Sequence, residues 1–384
     1  MENNKLPPEW EWKKFREVAD FINGRAFKPS EWGKIGLPII RIQNLTDSSK
    51  EFNYFDGKVQ EDNLIYKGDI LISWSASLGA FIWGGDKAVL NQHIFKVNVN
   101  DKIIDKKYFF YVTQTKIEEM KTRVHGSTMK HIIKGDFEKI LIPVPPIHIQ
   151  KQIVKILDRA ESLKEKRIKS NYETKKIIQL IFMEMFGDPT KNNKKYPIEV
   201  LDNIADKITD GTHITPNYLN EGVPFLRVTD ITNSNESKKF ISKEEHQELT
   251  KRCKPEKGDI LYTKNGTIGI AKTIDWDYEF SIFVSLCLIK PNKEKVLSKY
   301  LEVFLNTPFA LAQALQHSKK GTITNLHLIE IKKIKIPIPP ISKQREFLDM
   351  VEKVEKIMKH QENSTIKIEN LSESLMQQAF NGGL

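Results

Sequence analysis

The chain has few of the features that mark secreted, membrane or metal proteins. Only two cysteines occur among 384 residues, Cys253 and Cys287, and they have neither metal-ligand spacing nor a disulfide framework, which fits a reducing cytoplasm. No run of about 18 apolar residues exists, so no membrane span is predicted. The first residues, MENNKLPPEWEWKK, lack the apolar core of a secretion signal. We therefore expect a cytoplasmic protein with no membrane partner.

The sequence also lacks the motifs of the enzymes that act on DNA. An adenine methyltransferase needs an Asn/Asp-Pro-Pro-aromatic loop, but no aromatic residue follows the Pro-Pro pairs after Leu6, Val144 and Ile338. The P-loop pattern GxxxxGK[ST] is absent, and KNGTIGIAK (264–272) fits a strand–turn–strand better. The histidines show no paired metal spacing. We predict no active site, no metal and no cofactor in this chain.

What the chain does have is positive charge. The formal net charge is +10 and the isoelectric point is about 9.2, which suits a polyanionic partner such as DNA. Charge alone is a weak indication, because many unrelated proteins are equally basic.

The stronger signal is an internal repeat. GLPIIRIQNL (36–45) is matched by GVPFLRVTDI (222–231), KGDIL occurs at 67–71 and 257–261, and IPVPPI (142–147) is matched by IPIPPI (336–341). The offset drifts through the first part of each copy and then stays at 194 from Ile142 and Ile336 to Phe186 and Phe380. Loops tolerate insertions, whereas paired helices must keep their side chains in phase. Each copy therefore has a variable part followed by a length-locked part.

The variable parts are predicted to be mixed α/β. Short β-branched and aromatic runs alternate with Gly, Asn and Asp turns. The segments 106–124 and 298–316 are predicted helices, and Ser127 and Thr322 stand where helix N-caps are expected. A phosphate contact is the alternative role of these two hydroxyls.

The length-locked parts are predicted to be long helices of about 40 residues, or roughly 60 Å, which start after Pro145-Pro146 and Pro339-Pro340. Apolar residues with the alternating spacing of a coiled-coil seam lie at Ile149, Ile153, Ile156, Ala160, Leu163, Ile177 and Ile181, and at Phe347, Met350, Val354, Ile357, Ile368, Leu371 and Leu375. Each seam has a polar centre, at Arg167 and Ser170 or at Gln361 and Ser364. We infer that the two helices pair with each other as an antiparallel coiled coil, so that the two polar centres meet. The alternative is that each helix packs only on its own domain.

Two similar modules joined by a stiff rod suggest a two-point ruler for DNA, in which diverged modules read two different half-sites across a fixed gap. The layout closely resembles the specificity (S) subunit of Type I restriction–modification systems. The resemblance covers essentially the whole chain and depends on the doubled G-x-P-x-x-R and KGDIL blocks, and on GST (126–128) and GTI (321–323), each followed by IPxPPxxxQ.

The resemblance implies two target-recognition domains, residues 1–146 and 189–340, and two spacer helices, residues 147–188 and 341–384. It implies a non-catalytic subunit that binds double-stranded DNA and docks two modification (methyltransferase) subunits, with restriction subunits outside. S-adenosylmethionine and ATP with Mg²⁺ would then belong to those partners. Gln150 and Gln344 keep the family pattern and are candidates for docking. Ile149 and Lys343 precede them, where family members often carry Glu, so a contact through that acidic residue is in doubt.

Base reading needs side chains with fixed donor and acceptor geometry, whereas phosphates accept many donors. Three kinds of loop offer such groups in both copies. In the first copy the candidates are Arg25, Lys28, Arg41, Gln43, Asn44, Trp74, Ser75 and Ser77. In the second copy they are Thr212, His213, Asn217, Arg227, Thr229, Lys264, Asn265 and Thr267. Candidates for phosphate are Lys121, Arg123, His125, Lys319 and Lys320.

Each candidate also has a structural alternative. Arg41 and Arg227 follow a matched proline at equal spacing and could be salt-bridge arginines, and Trp74 could belong to a core. Two other functions stay open at this point: an enzyme with an unrecognised methyltransferase or nuclease site, and a coiled-coil scaffold that does not bind DNA.

Overall fold

The computed structural model describes residues 6–47, 49–75, 77–123, 134–233, 237, 239–316 and 325–384. The chain divides into two compact units. Unit 1 comprises Met1–Ile168 and Ser364–Leu384, and unit 2 comprises Lys169–Asn363. The division cuts through both long helices, so the domain boundaries given above stay a prediction. Ser127, Thr322, His125, Lys319, Lys320 and the side chain of Arg123 lie outside the described residues.

Unit 1 is a mixed α/β body. Its strands are β1 (Glu11–Lys14), β2 (Ala19–Asn23), β3 (Leu37–Ile40), β4 (Asn53–Phe55), β5 (Leu64–Ile65), β6 (Ile70–Ser73), β7 (Gly79–Ile82), β8 (Ala88–Leu90), β9 (Ile94–Val99) and β10 (Leu141–Val144). Its helices are α1 (Phe15–Val18), α2 (Ile42–Thr46), α3 (Lys106–Arg123), α4 (Lys134–Phe137) and the first part of α5 (Ile147–Phe186). Short 3-10 helices cover Pro29–Glu31 and Glu61–Asn63.

Unit 2 repeats this order with small changes. Its strands are β11 (Ile198–Val200), β12 (Ala205–Asp210), β13 (Val223–Leu226), β14 (Phe240–Ile241), β15 (Ile260–Thr263), β16 (Ala271–Thr273), β17 (Ser281–Ile282), β18 (Leu286–Pro291) and β19 (Lys335–Pro337). Its helices are α6 (Leu201–Ile204), α7 (Val228–Asn233), α8 (Lys243–Arg252), α9 (Ser298–Leu305), α10 (Pro308–Leu315), α11 (Leu328–Lys332) and the first part of α12 (Ile341–Asn381).

The sheets of the two units correspond except for one strand. Unit 1 has an antiparallel sheet β2-β9-β6-β7, a mixed sheet β4-β3-β8-β5 and the pair β1-β10. Unit 2 has β12-β18-β15-β16, β14-β13-β17 and the pair β11-β19 in the same roles, and its mixed sheet has three strands among the described residues where that of unit 1 has four. In each mixed sheet one parallel pairing occurs, β3 with β8 and β13 with β17. The matched topology confirms the predicted internal repeat and the mixed α/β class.

Both long helices begin directly after the Pro-Pro pairs, as predicted, at Ile147 and Ile341. The predicted helix over 298–316 is wrong in one detail, because it is broken into α9 and α10. Thr307 accepts a hydrogen bond from the Ala310 N–H (3.2 Å) and caps the second piece, and Pro308 cannot donate to the preceding turn.

The two long helices pair antiparallel, and each unit packs its own part of that pair into its core. In unit 1 the start of α5, at Ile153 and Leu157, shares a core with Ala379 and Phe380 at the end of α12. In unit 2 the order is reversed, and the end of α5 meets the start of α12, as the next contacts show. The alternative, in which each helix packs only on its own domain, is therefore wrong.

Aromatic contacts fix the pairing in unit 2. Phe182 and Phe347 lie 5.8 Å apart between ring centroids, and Phe186 lies 5.4 Å from Phe347. Tyr300 of α9 packs against Phe186 at 5.0 Å. The predicted seam is wrong at Leu163, Ile177, Ile357 and Leu371, which are 40–51% exposed.

Candidate nucleic-acid interface

In unit 1 the three predicted DNA loops, which carry Arg25 with Lys28, Arg41 with Gln43 and Asn44, and Trp74 with Ser75 and Ser77, meet at one turn, residues 91–93, between β8 and β9. The Gln92 N–H donates to the Arg25 carbonyl (2.9 Å), and the Asn91 N–H donates to the carbonyl of Ile40, the residue before Arg41 (3.1 Å). The Trp74 N–H donates to the His93 carbonyl (3.1 Å). We call residues 91–93 the central turn of unit 1. Two of the loops are bonded to it directly, and the third is bonded to it through the residue that precedes Arg41.

Unit 2 has the same arrangement around residues 283–285, its central turn. The Val284 N–H donates to Thr212 (2.9 Å), and the Phe283 N–H donates to the residue before Arg227 (3.0 Å). The Lys264 N–H donates to Ser285 (3.0 Å). The two copies thus bring loops that are far apart in sequence to one place by the same backbone bonds.

A matched glycine lets the first loop lie against the central turn in each unit. A Cβ atom on Gly24 would stand 2.0 Å from the Asn91 carbonyl oxygen, and one on Gly211 would stand 2.0 Å from the Ile282 carbonyl oxygen. No side chain fits at that distance, so only glycine permits this close approach of two backbones.

The arginines of unit 1 stack on aromatic rings. The Arg25 guanidinium lies 4.6 Å from the Phe27 centroid and 4.5 Å from the Phe55 centroid, and it pairs with Glu31. Arg41 lies 4.7 Å from the Trp32 centroid. Planar stacking fixes the direction of a guanidinium, so both side chains are held in place while remaining partly exposed.

Unit 2 carries a charge cluster on one buried carboxylate, Asp210. Lys264 Nζ lies 3.3 Å, His213 Nε2 3.2 Å and Arg252 Nη1 3.2 Å from its oxygens. Burial alone would raise the pKa of the Asp210 carboxyl, but Lys264, His213 and Arg252 together hold it below its ordinary value. The cluster keeps a net positive charge, and Arg252 and His213 expose it to solvent.

Three predicted DNA contacts are buried and are corrected here. Asn44 is 8% exposed and accepts from the Arg41 N–H (3.1 Å), which caps α2. Lys264 is 5% exposed in its ion pair with Asp210, and Ser75 is 7% exposed. A side chain this deep has no face to offer to a base, so these residues shape the loops rather than contact DNA.

The other described candidates keep a surface. Those classed as exposed are Lys28, Gln43, Ser77, His213, Asn217, Thr229 and Thr267, and the half-buried ones are Arg25, Arg41, Trp74, Lys121, Thr212, Arg227 and Asn265. Trp74 serves partly as core, since its ring stacks 5.7 Å from Phe95. Arg227 forms the local ion pair that was its structural alternative, with Asp230 at 3.4 Å. Their contacts with bases or phosphates stay a prediction.

Comparison with known proteins decides the family. The profile of the type I restriction modification DNA specificity domain matches twice, over residues 7–171 and 192–370. The chain belongs to the type I restriction–modification DNA specificity family. It is 27% identical to the type I restriction enzyme EcoBI specificity subunit of Escherichia coli, over 96% of this chain and 84% of the relative. It is also 27% identical to the putative specificity subunit S.HindORF215P of Haemophilus influenzae, over 90% and 88%.

Solved structures show the same fold. A chain from a study of assembly and conformational transition of the type I R-M system aligns with a TM-score of 0.61 at 17% identity, over 99% of this chain and 100% of that one. The S subunit of a type I system from M. genitalium aligns with a TM-score of 0.52 at 15% identity, over 99% and 98%.

The repeated proline passage of this specificity-family chain is a junction between strand and helix. In unit 1 the Tyr108 hydroxyl donates to the Pro143 carbonyl (2.9 Å), and the Gln150 amide donates to Pro145 (2.7 Å). In unit 2 Tyr300 donates to Pro337 (2.6 Å) and Gln344 donates to Pro339 (2.8 Å). The Pro-Pro step leaves carbonyls without a helical partner, and these side chains satisfy them.

Both glutamines are fully buried. The Gln150 carbonyl accepts from the Asp105 N–H (2.7 Å), and its amide also donates to Ile103 (3.0 Å). Gln344 makes the matched bonds to Leu297 (2.8 Å) and Lys295 (3.2 Å). A buried amide cannot touch a docking protein, so the predicted docking role of these two side chains gives way to a structural one.

The predicted meeting of polar centres is present in unit 2. The Gln361 amide of α12 donates to the Ser170 hydroxyl (3.1 Å) and to the Thr174 hydroxyl (2.9 Å) of α5. Paired polar groups at a helix seam fix register, because a shifted register would leave them unsatisfied.

Sequence reasoning did not single out Asn91, Gln92 or Arg252. The first two stand in a short turn between apolar strands. In the sequence, only the position of this turn relative to the repeated blocks of the two copies could have indicated it. Of the described residues, none form a group of three His, Cys, Asp or Glu side chains placed to hold a metal. In the same ranges, no helix combines the length and apolarity that crossing a bilayer requires.

Proposed function

We propose that this chain reads a split, asymmetric DNA target, one half with each unit. The observation that carries the proposal is the pair of central turns, on each of which three loops converge through the same backbone bonds but with different side chains. Two readers of one design and unlike chemistry suit two unlike half-sites.

The exposed groups around the central turns have the chemistry that DNA recognition needs. Amides such as Gln43 and Asn217 can pair with base edges in the major groove. Arg252 offers positive charge to phosphates, His213 offers a hydrogen-bonding ring, and the chain as a whole carries +10. Such binding weakens as salt rises, because it releases counterions.

In this proposal the long helices set the gap between half-sites and dock two modification subunits. An open groove of about 1440 Å³ in unit 1 supports docking, because both long helices, α3 and β7 line it. Its lining places Glu118, Glu161, Glu165 and Glu373 beside Lys107, Lys116, Lys121 and Lys164. A groove that offers charges of both signs suits a protein surface, which carries both signs as well.

The chemistry then belongs to the partners. Modification subunits would transfer methyl groups from S-adenosylmethionine, and restriction subunits would use ATP with Mg²⁺, while this chain binds and orients DNA in the cytoplasm. The proposal makes this chain a non-catalytic subunit.

The test is to sequence methylated sites genome-wide in cells with and without the gene. We expect a split motif of two different halves that disappears when the gene is deleted. A motif that persists without the gene, or that has no internal gap, would contradict the proposal.

A further inference from the structure

The central turns differ most where a base reader needs a side chain. Unit 1 presents Asn91-Gln92-His93, and unit 2 presents Phe283-Val284-Ser285 at the matched positions. The backbone bonds around the two turns are the same, so the turns differ in side-chain chemistry rather than in framework.

Gln92 is exposed at the middle of its turn. Its N–H donates to the Arg25 carbonyl, and the carbonyl of the next residue, His93, accepts from the Trp74 N–H, so the turn is bonded to two of the loops proposed to face DNA. A glutamine amide offers a donor and an acceptor side by side, which match N7 and N6 of adenine in the major groove. Val284 offers only methyl groups, which suit the thymine methyl.

Two further features show that the turn of unit 1 is not shaped for stability alone. His93 has a φ of 73°, a left-handed conformation that residues other than glycine rarely adopt and that costs energy. Arg25 and Asn91 are joined by an isolated backbone bridge, and Arg25 Nη1 and Asn91 Oδ1 are each buried without a hydrogen-bond partner, a condition that most buried polar groups avoid. Both features lie next to Gln92 in the chain or on its backbone bonds.

We infer that the central turns determine specificity: Gln92 reads an adenine in the half-site of unit 1, and Val284 contacts a thymine methyl in the half-site of unit 2. The inference rests on the proposed function and adds the residues and the base class to it. Each turn lies where the three loops meet, so its side chain is placed to read a base within the half-site rather than at its edge.

The test uses the full chain in cells that express the complete system, with methylated-site sequencing as the readout. Gln92→Val should relax the specificity at one position of one half-site. The preference for adenine there, which we expect to be roughly 5- to 150-fold in the wild type, should be lost. The other half and the gap should stay unchanged. Val284→Gln should alter one position of the opposite half. Because Val284 is half-buried, Val284→Ala is made alongside it, and it should weaken the thymine preference in the same place.

Asn98→Val is the matched control, since Asn98 is an exposed amide near the far end of β9, which begins just after the central turn. Its motif should equal that of the wild type. A Gln92→Val motif that is unchanged, or changed in both halves, would overturn the inference while the wild-type split motif still supports the proposed function. If wild-type cells showed no split motif that depends on the gene, the proposed function itself would be overturned.

Discussion

At the scale of single residues, one buried amide secures each compact unit to its long helix. Gln150 bonds three backbone groups of unit 1, and Gln344 does the same in unit 2. The repeated glutamine is thus explained by backbone groups that the Pro-Pro turn and the loop before α3 or α9 leave unpaired.

Gln150→Leu should destabilise unit 1 by about 2–4 kcal/mol, because it keeps the volume but leaves buried backbone donors and acceptors unsatisfied. The free energy of unfolding, from denaturant titration, measures this cost. Gln152→Leu is the control, since Gln152 is exposed two residues along the same helix and should change stability by less than about 0.5 kcal/mol. Equal effects of both substitutions would contradict a structural role for the buried amide.

His246 gives unit 2 a dependence on pH. It is 7% exposed and its Nδ1 lies 2.9 Å from the Ser281 hydroxyl. Burial lowers the pKa of His246 from 6.5, with a smaller opposing effect of Glu279. The unfolded chain therefore binds more protons below that pH, so the contribution to stability is present above about 6.5 and is lost as the pH falls.

We expect the melting temperature of unit 2 to fall between pH 7.5 and pH 5.5, and His246→Gln to reduce that fall. Thermal melting at the two pH values measures both. His148→Gln, at an exposed histidine of α5, should leave the fall as it is in the wild type. If His246→Gln and the wild type lost stability in parallel, the buried imidazole would not be its source.

At the scale of elements, the helix pair is held at its two ends by aromatic residues. Phe347 contacts Phe182, Phe186 and Tyr300, and it is fully buried. Phe347→Ala should therefore cost unit 2 about 3–5 kcal/mol, through lost burial and the cavity left behind.

Hydrogen exchange of α9 and of the end of α5 measures this loss locally, and the amides of unit 1 should keep their protection. Ile357→Ala is the control on the same helix, because Ile357 is 51% exposed. A loss of protection that spread equally over both units would show that Phe347 does not act in unit 2 alone.

These elements show what sequence could predict. Prolines and a constant offset of 194 predicted where both long helices begin, because helix starts depend on local chemistry. The seam was only partly predictable: Leu163 and Leu371 have the right spacing but are exposed, since the apolar cores of the units, not the helices alone, decide which face is covered. The apolar periodicity predicted one continuous helix over 298–316, whereas Thr307 and Pro308 start a second helix there.

The candidate site was predictable to the level of loops. Matched blocks pointed to Arg25, Arg41 and Trp74 because both copies keep a polar loop there. Burial of Asn44 and Lys264 could not be read from sequence, since a capping bond or an ion pair with Asp210 depends on the fold. Gln92 was missed because it lies in a short turn whose importance comes from long-range backbone bonds.

At the scale of the whole molecule, the repeat predicts that the two proposed recognition modules can be exchanged. The lengths match from Ile142 and Ile336 onwards, so a joint there keeps the helices in phase. The helix residues beneath each module also match. Tyr108 packs on Phe380 at 5.5 Å in unit 1, and Tyr300 packs on Phe186 at 5.0 Å in unit 2. In a hybrid chain, a second copy of residues 195–335 replaces residues 1–141 and is joined to residues 142–384. This second copy should pack on the helices as residues 1–141 do.

We expect a system that carries this hybrid to methylate a split motif that is an inverted repeat of the half-site proposed for unit 2. Identical readers joined through antiparallel helices should read the same bases on opposite strands. Methylated-site sequencing measures the motif, and the wild type provides the asymmetric reference. Exchange of buried apolar side chains for others of similar volume usually costs little stability, so the hybrid should still fold and assemble. If the hybrid kept an asymmetric motif, specificity would lie outside the exchanged residues, and the two units would not be independent readers.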